Sequence, residues 1–407
     1  MGLSGSDAGG PRNSVPAQLL TAMCVVVLSG ILVAGLWPFH APKNQVSWLN
    51  GGAGLRFDDY GSVVGAGAFN AKADTSCSLE IWLKPRLVDY SGTILAFYWP
   101  EALVAPFKLR QSLGDLVVQS TNLDELHHSR ASNIYVDELF SHAKPVFVTI
   151  SSGPAGTAVY EDGSLVKKFP DFRFSSQHLT GQFIIGNAPA TTDNWSGQLK
   201  GLAFYDRELT PSEVVAHYAN WTKSQVTNLA QSDGAVALYL FNEGKGRVVH
   251  NQVDSATDLL IPDRFFVLRE EFLELPWDEF YGGWSYWRNI AINIAGFIPL
   301  GFFFCAYFSL VRRIEHPAAV TVIFGFLVSL TIEVSQAFLP TRDSGTTDLV
   351  TNTLGAAIGA VAFGHKGVQF VLARSAFNQN SSASSTGRFE ISAPHQQSVE
   401  AKEMHTI

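Results

Sequence analysis

Apolar residues fall along this chain in two patterns, unbroken runs near both ends and an every-other-residue alternation between them. From Leu19 to Trp37 no residue is charged, and Arg12 and Lys43 flank the run. Its length matches the roughly 20 residues that cross a bilayer as a helix, which predicts a transmembrane helix over 19–39 preceded by a short N-terminus, 1–18. A secretory signal is the alternative. The run is long for a signal core, however, and Trp37-Pro38-Phe39-His40-Ala41 lacks small residues at the paired cleavage positions, so an uncleaved anchor is expected. Three further apolar runs, Ile290 to Val311, Ala318 to Leu339 and Leu349 to Gly364, crowd into 285–374 and predict helices 2–4 of a four-helix transmembrane bundle.

The region between, 45–275, has the period of strands. In Cys77-Ser78-Leu79-Glu80-Ile81-Trp82-Leu83-Lys84 the odd positions are apolar and the even ones mostly polar, the alternation of a strand with one face on a core. Comparable runs occur at Gly92 to Tyr98, Val146 to Ser151, Thr157 to Tyr160, Gly181 to Gly186, Leu199 to Tyr205 and Ala235 to Phe241. Asp162-Gly163 between Val159-Tyr160 and Leu165-Val166 signals a hairpin, because a type I′ turn needs positive φ at both central residues. Many short strands with turn signals predict an all-β sandwich or barrel. One helix is legible within it, opened by the capping box Thr210-Pro211-Ser212-Glu213.

Composition sharpens this picture. Charged residues make up 16% of the chain, against about 25% in soluble proteins, which argues for lipid contact. With 28 Lys+Arg against 36 Asp+Glu and no basic cluster, there is no electrostatic footprint for nucleic acid. Membrane lipids are the expected partners. Cys24, Cys77 and Cys305 lie far apart, which excludes a disulfide framework and a structural zinc site, and no cofactor is expected. Arg12, Arg312, Arg313, Lys366 and Arg374 all fall on one side if four runs span. Both termini then face the cytoplasm of a multi-pass cell-membrane protein, and the sandwich lies outside it. Residues 375–407 are rich in Ser, Gln and Asn and are expected to be a disordered cytoplasmic tail.

Two resemblances follow from quoted segments. Trp195-Ser196-Gly197-Gln198-Leu199-Lys200-Gly201-Leu202-Ala203-Phe204-Tyr205-Asp206-Arg207-Glu208-Leu209-Thr210-Pro211-Ser212-Glu213-Val214 resembles the closing strand and capped helix of laminin-G/concanavalin A-like lectin domains, whose fold is a jelly-roll sandwich. Leu79 to Pro85, the Asp162-Gly163 hairpin and Phe183 to Gly186 keep that family's order over roughly 70–222. Lys200 departs from the pattern, since members often carry an acid there, and Ala235 to Glu243 resembles an opening strand that here follows the helix. The membrane part is similar to VanZ-like proteins through Asn293-Ile294-Ala295-Gly296-Phe297-Ile298-Pro299-Leu300-Gly301, Trp37-Pro38-Phe39, and Glu333, Gln336, Arg342, Asp343, Asp348, Asn352, Gly355 and Gly359. That resemblance implies a bacterial cell-envelope protein of a family whose namesakes are linked to low-level resistance to teicoplanin-type glycopeptides. It supplies no biochemical activity.

The polar residues of the membrane part divide by chemistry. Asn293, Asn352, Gly296, Gly355 and Gly359 suit helix packing, because small residues permit close approach and amides bond across helices. Glu333 is expected about 10 Å inside its helix end, where a carboxylate must be paired or wet, with Gln336 one turn away. Asp343 and Asp348 join it as carboxylates around Arg342, a cluster able to hold a lipid-linked head group. An exosortase-type protease is disfavoured, since no His accompanies Cys305. Glu80 stands without a second carboxylate on its strand, so the retaining-glucanase pair is absent. Glu80 and Trp82 form either a partly buried polar face or a glycan platform. Recognition of glycans or lipid-linked envelope precursors is therefore the expected role. The alternatives are a membrane enzyme using Glu333 and Asp343, and a membrane-anchored protein-interaction module, and the residues leave open whether the sandwich takes a sugar, a protein or a metal ion.

Overall fold

The computed structural model describes residues 14–70, 75–123, 129–190, 192–223, 234–270, 272–279 and 283–365, so the tail at 375–407 lies outside the described residues. The chain divides into two compact units, one made of 33–281 with 330–348, the other of the remaining described residues.

The first unit is a sandwich of two antiparallel sheets. Its strands are β1 (Val46–Trp48), β2 (Leu55–Phe57), β3 (Val63–Gly65), β4 (Cys77–Pro85), β5 (Ser91–Trp99), β6 (Val104–Ser112), β7 (Asp115–Leu123) and β8 (Ser129–Val136). They continue as β9 (Val146–Gly153), β10 (Gly156–Glu161), β11 (Ser164–Phe169), β12 (Gln182–Ile185), β13 (Gly197–Tyr205), β14 (Ala235–Tyr239), β15 (Val248–Val249) and β16 (Leu259–Leu260). One sheet runs β1-β2-β13-β4-β9-β10-β11 with β14 also on β13, and the other runs β15-β16-β3-β12-β5-β6-β7-β8. Between them Phe69, Phe97, Phe183 and Phe204 form an aromatic centre with ring centroids as close as 4.7 Å. Offset and edge contacts of this kind add to the burial of apolar area that drives the fold.

Local signals produce the expected local structure. Leu79, Ile81 and Leu83 point into the core from β4, in register with Phe204, Leu202 and Leu199 of β13. Asp162 and Gly163 both have positive φ, as the I′ turn between β10 and β11 requires. Helix α2 (Pro211–Thr222) opens on the capping box, in which Thr210 N–H donates to Glu213 Oε2 at 2.8 Å and Glu213 N–H donates to Thr210 Oγ1 at 3.4 Å. The strand after α2 rejoins the sandwich, β14 pairing with β13 through Leu202–Tyr239 and Phe204–Ala237.

The second unit is helical and draws on α1 (Ser14–Leu36), α3 (Trp284–Leu310), α4 (Pro317–Gln336) and α5 (Thr346–Gly364). Of these, α1 from Ala17, α3 and α4 are long and apolar enough to cross a membrane. Large apolar side chains such as Val25, Ile292, Ile323 and Val361 face outward, the arrangement expected of helices solvated by lipid. Packing is by small residues. A Cβ at Gly301 would stand 2.0 Å from the carbonyl oxygen of Ala356, at Gly355 2.3 Å from that of Ile294, and at Gly359 2.1 Å from that of Ile298, so α3 and α5 touch backbone to backbone. Gly355 and Gly359 lie at this contact. A Cβ at Gly296 would meet nothing within 4 Å, so that glycine stands off the contact and Gly301 stands in it. Asn352 donates to Ser329 Oγ at 3.0 Å across α5 and α4, an interhelical amide bond.

Candidate functional site

Helix α4 ends at Gln336, three residues after Glu333, so the carboxylate lies about 4.5 Å from the helix end rather than the expected 10 Å. Glu333 is 1% exposed, and its Oε2 accepts from the Gly345 amide at 3.0 Å. Ser344 closes the same turn by donating its hydroxyl to the Glu333 carbonyl at 2.9 Å. Gln336, 8% exposed, donates to the carbonyl of Gly35 at 2.8 Å, while its Oε1 is buried without a partner. Arg342 directs its guanidinium at the carbonyl of Trp37 (2.7 and 3.2 Å) and at that of Ala34 (3.4 Å).

These contacts correct the expected cluster. The last carbonyls of a helix have no partner within it and carry its negative end, which a cation stabilises. Arg342 and Gln336 fill that role for α1, and among the described residues Arg342 forms no ion pair with a carboxylate. Asp343 reaches the surface, yet the protein around it raises its carboxyl above the usual range, Arg342 only partly opposing this. Beside it lies a cavity of about 10 Å³ lined by Val267, Arg269, Leu339, Pro340, Arg342 and Asp343, room for one water. Asp348 occupies the first turn of α5, where the helix N-terminus favours a negative charge. Asn293 and Asn352 belong to the helical unit.

On the sandwich, Glu80 is wholly buried. Helix α2 lies over the outer face of its sheet and delivers two of the three donors that hold it: His217 Nδ1 reaches Oε1 at 2.9 Å, and Trp221 Nε1 reaches Oε2 at 3.0 Å. Tyr205 supplies the third from β13, its hydroxyl 2.8 Å from Oε2. Glu80 therefore presents no atom to a glycan, which corrects its expected place on a sugar platform. Trp82 stays partly exposed, with Lys200 Nζ 5.3 Å from its ring centroid, so the lysine that departs from the lectin pattern covers that ring.

A sizeable opening lies elsewhere on the sandwich. At the end of the sandwich where β13 runs out and β14 begins, a cleft of about 560 Å³ has an apolar floor that includes Phe69, Leu179 and Phe204. Its walls carry Asn70, Thr75, Ser176, Asp206, Asp254 and Thr257. The volume falls within the range of roughly 300–1,000 Å³ typical of small-molecule sites. Carboxylates, an amide and hydroxyls over an apolar floor suit a ligand with many hydroxyls and an apolar ring face. No periodic or motif signal marks this cleft in the sequence, because its lining comes from loop ends far apart in the chain.

Residues 234–366 match the VanZ/LLP1 family model, and residues 58–215 match that of the concanavalin A-like lectin/glucanases superfamily. Among solved structures, the chain is similar to the binding domain of Paraclostridial Mosquitocidal Protein 1, at 17% identity and TM-score 0.33, over 44% of this chain and 47% of that one. It is similar to the botulinum neurotoxin serotype D ligand binding domain in complex with N-acetylneuraminic acid, at 15% and 0.32, over 44% and 45%. A SAP-like pentraxin from Limulus polyphemus aligns at 16% and 0.30, over 44% and 80%. The chain thus spans a little under half the length of the first two. No curated protein matches the sequence.

Proposed function

We propose that this chain, with a VanZ-like region and a lectin-like sandwich, is a membrane-held protein that recognises glycans or glycan-bearing envelope precursors outside the cytoplasm, and so affects glycopeptide tolerance. The observation that carries this reading is the cleft of about 560 Å³, with its apolar floor and its polar walls. The helices that suit a bilayer supply the anchor, and the basic residues at Arg12, Arg312, Arg313, Lys366 and Arg374 favour both termini on the cytoplasmic side if four runs span. An enzyme acting through Glu333 and Asp343 has less support. The cavity beside Asp343 has room for one water, and Glu333 is held inside a turn.

The test is binding of envelope glycans to the full chain in detergent micelles, by calorimetry, for wild type and Val236→Trp. Val236 lines the cleft and is exposed, so an indole there fills the opening without disturbing the core. Wild type is expected to bind and leave the glycan intact, and the variant to lose binding at an unchanged melting temperature. Equal binding by both proteins would remove the cleft from the account, and release of reducing ends would favour an enzyme.

A further inference from the structure

A second cleft, of about 430 Å³, opens beside the first, and Thr75 lines both. Thr75 is pinned where they meet. Its amide donates to Ser176 Oγ at 3.0 Å, and its hydroxyl donates to the carbonyl of Asp206 at 2.9 Å. Ser176 faces the first cleft and Ser175 the second, so consecutive residues wall the two openings. The two clefts thus adjoin at Thr75, a fixed point between them.

The two halves differ in charge. Among the described residues, the lining of the first includes Asp206 and Asp254 and no cation, whereas that of the second includes Arg173 and no carboxylate, although Glu208 packs its carboxylate against Gly153 of that lining. Arg173 is exposed and forms no ion pair among the described residues. His178 beside it is occupied at both nitrogens. Its Nδ1 accepts from the Ser175 amide at 3.1 Å, so Nε2 carries the proton and donates to Asn122 Oδ1 at 2.8 Å. The anchored imidazole and amide make a rigid wall, and the guanidinium stands free beside it with the planar fork that fits a carboxylate in two-point contact.

We infer that the two adjoining clefts take an oligosaccharide of two or more units bearing a carboxylate, its neutral part in the first cleft and its acidic group on Arg173. The inference rests on the glycan reading above and names the ligand class for that site. Asp206 and Asp254 make the first cleft unfavourable for an acidic unit, so the charge pattern also sets the direction in which the chain lies.

The experiment uses the full chain in detergent micelles and a panel of carboxylated oligosaccharides, each paired with its neutral methyl ester. Wild type is expected to bind the acidic form roughly tenfold or more tightly than the ester, the size of effect expected from a charge-assisted hydrogen bond, and to lose part of that preference in high salt. Arg173→Gln is expected to erase the preference, so that acid and ester bind alike. Val236→Trp, or Val253→Trp should that variant fold poorly, is expected to weaken both forms. Acidic and ester forms binding wild type alike, or a preference that survives in Arg173→Gln, would overturn the two-cleft site while the first cleft remains a glycan site. If nothing in the panel binds wild type, both readings fall together.

Discussion

At the scale of single residues, Glu80 shows how a charge is accommodated in this sandwich. A carboxylate taken out of water is tolerated only when its acceptor sites are filled, and Tyr205, His217 and Trp221 fill them. Truncation takes the shared acceptor away from three buried donors. Glu80→Ala is therefore expected to cost about 3–5 kcal/mol, whereas Glu80→Gln, which keeps one acceptor oxygen, costs about 1–3 kcal/mol. Thermal unfolding of the full chain followed by circular dichroism checks this order. A Glu80→Ala protein as stable as wild type would mean the network contributes nothing to the fold.

Helix α2 and helix α3 make their contacts in opposite ways at the scale of elements. The former must be started firmly, since it carries His217 and Trp221 to Glu80. Burial works against ionisation of Glu213 at its start, but the amide and hydroxyl of Thr210 and the nearby Arg207 outweigh it and hold the carboxyl below the usual range. A carboxyl lowered on folding stabilises above its unfolded-state pKa, and the contribution is lost as pH falls through the lowered value. The gap in melting temperature between wild type and Glu213→Ala is thus expected at neutral pH and should shrink in acid below the carboxylate range. A gap independent of pH would exclude the ionised cap. By contrast, α3 needs only the absence of a side chain at its contact with α5. Gly301→Leu is expected to abolish a monodisperse, cooperatively melting protein in detergent, because its Cβ alone would meet the Ala356 carbonyl at 2.0 Å. Gly296→Leu, with open space around it, is expected to leave melting near wild type. Equal tolerance of both would refute backbone contact at Gly301.

Across the whole molecule, the sandwich does not end where the lectin-like match ends. Strands β14, β15 and β16, at 235–260, belong to its two sheets, yet they fall inside the region matched by the VanZ/LLP1 model, 234–366. The chain therefore enters the sandwich after α1 and leaves it before α3 with no helix of spanning length among the described residues between. The positive-inside pattern then makes one expectation for the intact cell. On a background without native thiols, Ser164→Cys on the exposed hairpin should react with a membrane-impermeant maleimide, and Glu315→Cys between α3 and α4 should stay protected until the cells are opened. Labelling of Glu315→Cys from outside would invert the proposed orientation.

Much of this architecture was written in local pattern, because helix, strand and turn preferences depend on neighbours a few residues away. The alternation around Leu79-Glu80-Ile81, the Asp162-Gly163 turn, the Thr210 cap and the long apolar runs each marked an element that formed. Strands β6 to β8 escaped such a reading, since the polar side chains Gln111, Ser120 and Ser132 take inward-facing positions of their alternation. What covers a polar position was not legible at all. Glu80 meets Trp221 from 141 residues away, and Arg342 meets Trp37 from 305 residues away, so their partners existed only once the register of the sheets and the closing of the helix ends had been set. The pair of clefts on either side of Thr75 belongs to the same class. Periodicity records which face of an element is buried, whereas the identity of its neighbours, and the gaps left between them, arise only when distant elements pack.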